Sequence, residues 1–324
     1  MNVIRVGENQ SLSWTAAPDP KPVAREVVID VHATAVNRAD LLQREGKYPP
    51  PPGWPEWMGL EVAGTVAALG PECSGRWRVG DRVCALLGGG GYAEEVVADE
   101  GLLMPVPAGL GMEEAASLPE VFATSWLNLV HEAGLRAGET LFVQAGGSGL
   151  GLAAIQIAKL LGAKVITTVG SDEKGERIRP FGPDVIVNHN TDSLAEIFDR
   201  YPVDVALDCV GGEALAECLP KMARGGRWVL IATLGGEYAN LSLRPLLKGG
   251  LRLIGSTLRS RTLEEKAAIL RELAKEVWPE IESGRIKPFV HETLPITEAD
   301  AAHQILKRRE NIGKVVLTLQ GEAL

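Results

Sequence analysis

The sequence has few cysteines and no long apolar run. Its four cysteines lie far apart in 324 residues with no CxxC pair, so neither a disulfide framework nor a cysteine zinc knuckle is predicted. Nowhere do about 18 apolar residues follow one another, and Arg5 and Glu8 interrupt the first segment, so neither a membrane span nor a signal peptide is expected. These features indicate a cytoplasmic protein with reduced thiols.

Positive charge is also in short supply. Lys and Arg number 33 against 42 Asp and Glu, which gives a net charge of -9. Such a balance provides no overall attraction to phosphate backbones or anionic membranes, so neither nucleic acid nor a membrane is an expected partner. The hydrophobic share of 45% and the charged share of 23% are those of a globular protein. The chain length predicts two domains.

The predicted secondary structure changes in character once along the chain. Short β-rich runs separated by Gly and Pro, such as Glu26–His32 and Val62–Leu69, come first and predict a small β-barrel-like domain. The proline run Tyr48–Pro55 must be an extended surface loop, because proline lacks an N–H donor and restricts its predecessor. From about Ala115, apolar strands alternate with amphipathic helices, which is the pattern of a parallel sheet with crossover helices. The predicted domains are 1–117 completed by 260–324, and 118–259.

The second domain is expected to contain six strands with interleaved helices. The strands are predicted at Thr140–Gln144, Lys164–Val169, Asp184–Asn188, Val203–Cys209, Arg227–Ala232 and Leu251–Ser256. The helices are predicted at Leu150–Leu161, Ser193–Arg200 and Glu213–Met222, with a further short helix between Val169 and Asp184. The segment after this domain is expected to form a helix at Leu263–Ser283, a strand at Phe289–Leu294, a helix at Glu298–Arg309 and a strand at Lys314–Leu319.

The segment Leu141–Gly151 is the most informative, because an apolar strand runs into a glycine-rich turn that opens a helix. Glycines there permit a tight turn and let backbone N–H groups at the helix N-terminus approach a pyrophosphate. A strict GxGxxG pattern is not met, since Leu152 stands three residues beyond Gly149, and a plain glycine turn is the alternative. The small residues of the following helix favour dinucleotide binding. A nucleophile elbow at Ser148 is not expected, because Leu150 replaces the glycine that motif requires.

The end of the next strand bears on the choice of cofactor. No acid caps the strand that ends at Val169, where an NAD enzyme usually carries one for the ribose hydroxyls. Ser171 and Lys174 offer a hydrogen bond and a positive charge to a 2′-phosphate, which favours NADPH over NADH. Asp172 and Glu173 are equally well explained as first-turn acids of the next helix.

Metal-ligand spacing is missing from the sequence. The five histidines form no HxxxH or HxH pair, and none follows a cysteine at metal spacing. A catalytic zinc needs three protein ligands around an open position, so no metal site is predicted.

Six segments carry a family resemblance: Ala35–Arg44, Gly46–Pro51, Gly59–Gly64, Val79–Val83, Gly89–Glu94 and Asn311–Val316. On these segments the chain resembles the zinc-free quinone oxidoreductase (zeta-crystallin-like) branch of the medium-chain dehydrogenase/reductase superfamily, over nearly its whole length. Zinc-dependent relatives have a catalytic Cys where this chain has Asn37, and a Gly-His-Glu where it has Gly59–Glu61. Two metal ligands are thus absent at the matching positions.

The resemblance implies an α/β fold class, with a GroES-like β-rich substrate domain plus a Rossmann doubly wound parallel-sheet domain. It implies NADPH as cofactor and a quinone or another conjugated carbonyl as substrate. Asn37 and Tyr48 are implied as catalytic residues at the substrate end, with Tyr48 also at the cofactor. The further implied cofactor contacts are Thr124, Gly147, Ser148, Gly149, Leu150, Gly151, Ser171, Lys174, His189, Val210, Leu234, Thr257, Leu258, Asn311 and Lys314. His189 stands where relatives usually carry Tyr, which is a departure from the family pattern.

Simpler roles stay open for some of these residues. Asn37 is also explained as a turn residue next to Asp40, and Tyr48 as an anchor for the proline run. Glu61 is as well explained as a buried structural carboxylate as a catalytic one.

The implied reaction is hydride transfer to a quinone without metal. A quinone accepts hydride as an already stabilised anion, so hydrogen bonds from Tyr48, Asn37 or water suffice for orientation and the final proton. Two alternatives stay open: reduction of an activated carbon–carbon double bond in an enone or enoyl thioester, and a non-catalytic, NADPH-dependent regulatory binding role. The resemblance also implies a homodimer, for which Leu251–Ser256 is a candidate edge strand.

Overall fold

The computed structural model describes residues 1–319 and divides the chain into two compact units. One unit comprises Met1–Ala123 together with the segment from Arg259 onward, and the other comprises Thr124–Leu258. We call the first the split unit and the second the inserted unit, because the second interrupts the sequence of the first. The first division falls inside a helix, Pro119–Trp126.

Strands come first along the chain, and from β8 onward helices separate most of them. In chain order the strands are β1 (Asn2–Val6), β2 (Leu12–Ala16), β3 (Glu26–Ala35), β4 (Glu61–Leu69), β5 (Arg82–Leu86), β6 (Glu95–Asp99), β7 (Leu103–Pro105), β8 (Thr140–Val143), β9 (Lys164–Val169), β10 (Val185–Asn188), β11 (Val205–Asp208), β12 (Arg227–Leu230), β13 (Arg252–Gly255), β14 (Val290–Pro295) and β15 (Lys314–Thr318). The helices are α1 (Arg38–Arg44), α2 (Met112–Ala116), α3 (Pro119–Trp126), α4 (Gly149–Leu160), α5 (Asp172–Ile178), α6 (Leu194–Arg200), α7 (Gly212–Cys218), α8 (Leu243–Gly249), α9 (Leu263–Glu276), α10 (Trp278–Glu282) and α11 (Ala299–Lys307).

The split unit is built on a seven-stranded sheet around β3, whose sequence is rich in the β-branched residues that favour strands. The path through the sheet is β14-β15-β3-β4-β5-β7, and β6 also pairs with β3. Its inward-facing residues form an apolar core that includes Val27, Ile29, Val31, Val62 and Val83. The parallel pair β14 and β15 comes from the far end of the described chain, so the two parts of the split unit share one sheet.

The inserted unit is a six-stranded parallel sheet with the strand order β10-β9-β8-β11-β12-β13. This order, in which the chain reverses direction across the sheet beside β8, is that of a doubly wound dinucleotide-binding domain. Strands of such sheets are covered on both faces and therefore read as continuous apolar runs, as in β8. Phe142, Phe198 and Trp228 pack together in the core, with the two phenylalanine ring centroids 4.9 Å apart. The predicted fold class is confirmed in both units.

One predicted helix was wrong. The sequence pattern predicts a single helix over Leu263–Ser283, whereas the structure has α9 ending at Glu276 and a separate α10 beginning at Trp278. Pro279 causes the break, because its ring and its missing N–H prevent an uninterrupted helical hydrogen-bond ladder. The short helices α1, α2, α3 and α8 were not predicted.

The cysteines are free thiols in the structure. Cys84 and Cys218 are buried, and Cys73 and Cys209 are half-buried. None of the helices within residues 1–319 has the length and hydropathy needed to cross a lipid bilayer.

Candidate active site and cofactor site

The predicted cofactor residues of the inserted unit collect along one edge of its sheet. The glycine turn follows β8, Ser171 follows β9, His189 follows β10, Val210 follows β11, Leu234 follows β12 and Thr257 follows β13. Because these strands are parallel, the segments that follow them all leave the sheet at its carboxyl edge. Ligands of open α/β sheets bind at this edge, next to the point where the strand order reverses.

Tight packing explains the glycines of the turn after β8. A Cβ atom on Gly146 would lie 2.2 Å from Thr167 Oγ1, and one on Gly151 would lie 2.4 Å from the Ala145 carbonyl oxygen. Ser148 caps α4, since its Oγ accepts a hydrogen bond from the Gly151 N–H at 3.0 Å. The turn therefore brings its backbone close to β9 and leaves no room for a side chain at residues 146 and 151.

The turn also offers hydrogen-bond donors to an anion. Within residues 1–319, the N–H groups of Gly149 and Leu150 at the start of α4 form no hydrogen bond. Gln144, directly before the turn, is 5% exposed, and its Nε2 has no partner among the described residues. Unpaired buried donors cost free energy, so this arrangement fits a ligand that accepts hydrogen bonds, as a dinucleotide pyrophosphate does.

The turn between β9 and α5 brings together the residues predicted for the 2′-phosphate. Ser171 Oγ caps α5 by accepting a hydrogen bond from the Lys174 N–H at 3.2 Å. A Cβ on Gly170 would lie 3.6 Å from Cε1 of His189, so this exposed imidazole lies beside the turn. Asp172 Oδ1 accepts a hydrogen bond from Asn188 Nδ2 at 2.9 Å, which ties the turn to the end of β10.

A buried carboxylate shapes the loop that follows β11. Asp208 is fully buried, and its Oδ1 accepts hydrogen bonds from the Val210 N–H at 2.6 Å and the Gly211 N–H at 3.0 Å. Its Oδ2 accepts a third from Trp228 Nε1 at 2.9 Å. Burial raises the pKa of Asp208, and these three hydrogen bonds oppose that shift. The loop they hold lines a cavity of about 350 Å³, formed by residues 210–214 and 235–238.

In the split unit, Asn37, Glu61 and Lys314 form a closed buried network. Lys314 Nζ donates to Asn37 Oδ1 at 2.7 Å and lies 2.6 Å from Glu61 Oε1. The Asn37 amide donates to Glu61 Oε1 at 2.9 Å and to the Ala35 carbonyl at 3.2 Å. Both amide protons of Asn37 are thereby used within the network. Glu61 Oε2 accepts the Glu120 N–H at 2.8 Å, so each carboxylate oxygen has a partner.

A second buried series of hydrogen bonds starts at Asn37, the N-cap residue of α1. Asp40 accepts the Asn37 N–H at 2.7 Å and the Gly59 N–H at 3.1 Å, and Tyr92 donates to its Oδ2 at 3.3 Å. The Tyr92 hydroxyl also lies 3.2 Å from His303 Nε2, which fits a neutral imidazole donating to the phenol oxygen. Burial raises the pKa of Asp40 to about 6 and lowers the pKa of His303 to about 4. At neutral pH Asp40 is therefore ionised and His303 is uncharged.

Tyr48 is half-buried and lies under an arginine. The Cζ atom of Arg259 stands 4.4 Å from the centroid of the Tyr48 ring, and its Nη1 donates to the Tyr48 carbonyl at 3.2 Å. Burial raises the pKa of Tyr48, while the guanidinium acts in the opposite direction. Tyr48 is connected to Asn37 through α1, because Arg259 also donates to Gln43 Oε1 at 2.9 Å and Asn37 caps that helix.

The remaining predicted residues lie as follows. Thr124 is buried in α3, and Leu258 is buried after β13. Asn311 Nδ2 donates to the Gly313 carbonyl at 2.7 Å, three residues before Lys314. Asn37, Tyr48, Asn311 and Lys314 belong to the split unit, and the others belong to the inserted unit.

Sequence reasoning missed Arg259, Gln144 and Asp208. Asp208 could have been found, since an acid at the end of an apolar strand before Gly211-Gly212 marks a turn. No motif identifies Arg259, because its contacts are with residues 43, 48 and 88.

Two protein families match the chain. Residues 23–108 match the alcohol dehydrogenase GroES-like domain, and residues 149–275 match the zinc-binding dehydrogenase family. The chain is 33% identical to quinone oxidoreductase-like protein 2 of Bos taurus over 93% of its own length and 87% of the relative's. It is 32% identical to the quinone oxidoreductase of Mus musculus, over 93% of this chain and 91% of that protein.

Solved structures agree in fold. A mycobacterial protein complexed with NADPH has a TM-score of 0.85 and 31% identity, over 98% of this chain and 100% of the other. An NAD-dependent alcohol dehydrogenase has a TM-score of 0.84 and 30% identity, over 99% of this chain and 100% of the other. The CurK enoyl reductase has a TM-score of 0.83 and 26% identity, over 98% of both chains.

Together the two units and these likenesses define an oxidoreductase that binds a nicotinamide cofactor. The chain belongs to the medium-chain dehydrogenase/reductase superfamily, in its quinone oxidoreductase (zeta-crystallin-like) branch.

The family name of the second match implies zinc, and the residues present do not fit that ion. Asn37 Oδ1 and Glu61 Oε1 are both bonded to the Lys314 ammonium. Across residues 1–319, no group of three or more His, Cys, Asp or Glu side chains converges in a way that could hold a metal. We therefore derive no step through a metal ion.

Proposed function

We propose that the protein is an NADPH-dependent quinone oxidoreductase that works without a metal. The observation that carries the proposal is the likeness to quinone oxidoreductases at about one third identity over 93% of the chain, which spans both units. The polar residues of the split unit agree with a reaction without metal, since the Lys314 ammonium already occupies Asn37 Oδ1 and Glu61 Oε1.

NADPH is the proposed cofactor. When bound, it supplies a hydride from its nicotinamide ring. The N–H groups at the start of α4 hold the pyrophosphate in this proposal, and Ser171 and Lys174 hold the 2′-phosphate. No acidic residue ends β9, so the segment Val169-Gly170-Ser171 lacks the carboxylate that would bind ribose hydroxyls and repel a phosphate.

Tyr48 is the proposed contact for the acceptor oxygen. A quinone that takes up a hydride becomes a stabilised hydroquinone anion, so the protein needs only to orient the ring and donate a hydrogen bond to the developing charge. The phenol of Tyr48 can do this, and either Tyr48 or water delivers the final proton. Thr124, Val210, Leu234, Thr257, Leu258 and Asn311 are proposed to line the cofactor.

Asn37 takes a positioning role in this proposal. Its two amide protons bond to Ala35 and Glu61, and its oxygen accepts from Lys314, so it has no proton to offer an acceptor oxygen. It fixes the Lys314 ammonium and is the N-cap residue of α1. Gln43, near the other end of α1, accepts a hydrogen bond from Arg259.

Reduction of an activated carbon–carbon double bond is the second candidate. The similarity of the CurK enoyl reductase over 98% of both chains favours it, and so does 33% identity to part of a polyketide synthase of Streptomyces halstedii, of which this chain covers 5%. Hydride addition to an enone also places negative charge on an oxygen, so the same Tyr48 contact serves both substrates.

We also propose a homodimer formed through β13. In the inserted unit, all of which the structure describes, β13 pairs only with β12 and ends the sheet. An unpaired edge is stabilised by pairing with a second copy. Leu253 on this strand is 44% exposed, which supplies apolar surface for such a contact.

The test is anaerobic stopped-flow oxidation of NADPH and NADH by the purified protein, with 1,2-naphthoquinone and but-3-en-2-one as parallel acceptors. Fast oxidation of NADPH, but not NADH, by the quinone is the expected result. Faster reaction with the enone would favour the second candidate. Tight NADPH binding with no oxidation by either acceptor would contradict both and favour a regulatory nucleotide-binding role.

A further inference from the structure

Arg259 is the residue at which the chain re-enters the split unit after the inserted unit. Its half-buried guanidinium makes four hydrogen bonds inside the split unit. Nε and Nη2 donate to the Gly88 carbonyl at 3.1 and 2.8 Å, Nη2 also donates to Gln43 Oε1 at 2.9 Å, and Nη1 donates to the Tyr48 carbonyl at 3.2 Å. One side chain thus joins α1, the proline loop and the glycine-rich loop after β5.

The proline loop needs such support, because it makes few hydrogen bonds of its own. Proline has no N–H, and within the run Tyr48–Pro55 the Trp54 N–H donates to Pro51 at 3.2 Å. The loop packs directly on the glycine-rich loop, since a Cβ on Gly88 would lie 2.6 Å from the Trp54 indole. Arg259 supplies the donors that fix both loops at the point where Tyr48 begins the run.

Arginine suits this position for a reason that lysine does not share. Its planar guanidinium presents several donors in fixed directions and can lie against an aromatic ring at the same time. The cation 4.4 Å from the Tyr48 centroid is attracted to the ring face. Its charge also favours the ionised phenol, which makes the Tyr48 hydroxyl a stronger hydrogen-bond donor.

We propose that Arg259 is a positioning residue for the reaction: it orients Tyr48 and strengthens the hydrogen bond that Tyr48 donates to the acceptor oxygen as negative charge develops there. This inference rests on the proposed role of Tyr48. It assigns Arg259 no contact with substrate or cofactor, so all of its effect on turnover passes through Tyr48.

The first arm of the test does not depend on activity. The chain has four tyrosines, so protein labelled with ¹³C at the tyrosine Cζ gives few signals, and the signal lost in Tyr48→Phe identifies Tyr48. Titration of that signal should show a higher pKa in Arg259→Met than in the unmodified protein. An unchanged pKa would overturn the proposal, whatever the enzyme reduces.

The second arm is a double-mutant cycle measured by NADPH oxidation with 1,2-naphthoquinone. Arg259→Met should lower kcat about tenfold, the effect expected for one cation–π contact and its hydrogen bonds, with the Kd of NADPH unchanged. The same substitution in Tyr48→Phe should lower kcat by less than about twofold, because the group it acts on is gone. Equal losses in both backgrounds would overturn the proposal.

Two variants complete the design. Arg259→Lys returns the charge without the planar fork and should recover only part of kcat. Arg76→Met removes a different arginine of the split unit, an exposed one whose Cζ lies 4.7 Å from the Trp77 ring centroid, and should leave kcat and the Tyr48 pKa unchanged. If unmodified protein oxidises no NADPH, the proposed function fails, while the titration still decides whether Arg259 acts on Tyr48.

Discussion

Lys314 Nζ and Glu61 Oε1 lie 2.6 Å apart, with 6% and 0% of their side chains exposed. Lys314 stands on β15, Glu61 opens β4, and β3 separates these strands in the sheet. Each charge of a buried ion pair is stabilised in the interior by the opposite charge of its partner. Removing one partner leaves a buried charge without a counter-charge.

Lys314→Met is therefore expected to lower the free energy of unfolding by about 3–5 kcal/mol, because it leaves the Glu61 carboxylate buried without a counter-charge. Urea unfolding followed by circular dichroism measures the loss. Lys307→Met, at an exposed lysine of α11, should cost less than about 0.5 kcal/mol. The double variant Glu61→Gln/Lys314→Met should be more stable than Lys314→Met alone. Similar losses for the two lysine variants would contradict the account.

Asp40 should make the protein less stable as pH rises through the mildly acidic range. Burial raises its pKa in the folded state to about 6, despite the opposing charge of Lys314, whereas an unfolded aspartic acid has a pKa of about 3.9. Folding then takes up a proton between about pH 4 and 6, so the contribution of Asp40 to the free energy of unfolding falls over that interval. We expect Asp40→Asn to remove this fall, which amounts to at most about 3 kcal/mol.

His303 should act in the opposite direction. Burial, aided by Arg44, lowers its pKa to about 4, against about 6.5 in the unfolded chain. Folding releases a proton between about pH 4 and 6.5, so the contribution of His303 to the free energy of unfolding rises with pH. His303→Gln should remove this rise.

The two residues can be separated by urea unfolding at several pH values from 4 to 7. Relative to the unmodified protein, the unfolding free energy of Asp40→Asn should climb more steeply with pH, and that of His303→Gln less steeply. Glu264→Gln, at an exposed carboxylate of α9, should follow the unmodified protein. Parallel curves for all four proteins would mean that neither buried group titrates as described.

Lys174→Met should weaken NADPH binding while leaving NADH binding unchanged. Loss of a charge-assisted hydrogen bond to the 2′-phosphate is expected to raise the Kd of NADPH by about tenfold or more. Ser171 is a poorer test, because its Oγ also caps α5. Nicotinamide fluorescence gives both dissociation constants, and Lys248→Met, at an exposed lysine of α8, is the matched control. Equal weakening of both cofactors would place Lys174 away from the phosphate.

Leu253→Pro should convert the proposed dimer to a monomer without unfolding it. Arg252 and Ser256 donate their N–H groups to the neighbouring segment of β12, so the alternating N–H of Leu253 points toward the open edge. Proline there blocks pairing with a second copy and keeps the ladder with β12. Light scattering should give about 34.6 kDa, against twice that value for the unmodified chain. A monomer in both cases would remove the basis for the dimer.

The periodic parts of the fold were predictable because their signals are local. Each strand of the inserted unit was predicted to within two residues at either end, and both ends of β9 were predicted correctly. Continuous apolar runs between glycine turns specify buried parallel strands without further information. α8 was not predicted, because its apolar residues do not form one buried face. Leu243 and Leu247 are exposed, and only Leu246 packs on the core.

The sequence proposes individual site residues but not how they are arranged. Asn37 and Lys314 were both candidates, yet they are 277 residues apart in sequence and their hydrogen bond leaves no local pattern. The role of Arg259 depends on loops that meet only in the folded unit. Burial decides these interactions, and it depends on contacts between distant segments.

The position of β15 between β14 and β3 sets an order of events during synthesis. The inserted unit is continuous and has all of its strands once residue 258 has left the ribosome. The sheet of the split unit lacks two strands until Thr318 has been made. In the meantime the Ala33–Ala35 end of β3 has no β15 partner, and Glu61 has no counter-charge. A nascent chain halted before Lys314 therefore carries a finished nucleotide-binding unit tethered to a sheet edge able to pair with other chains.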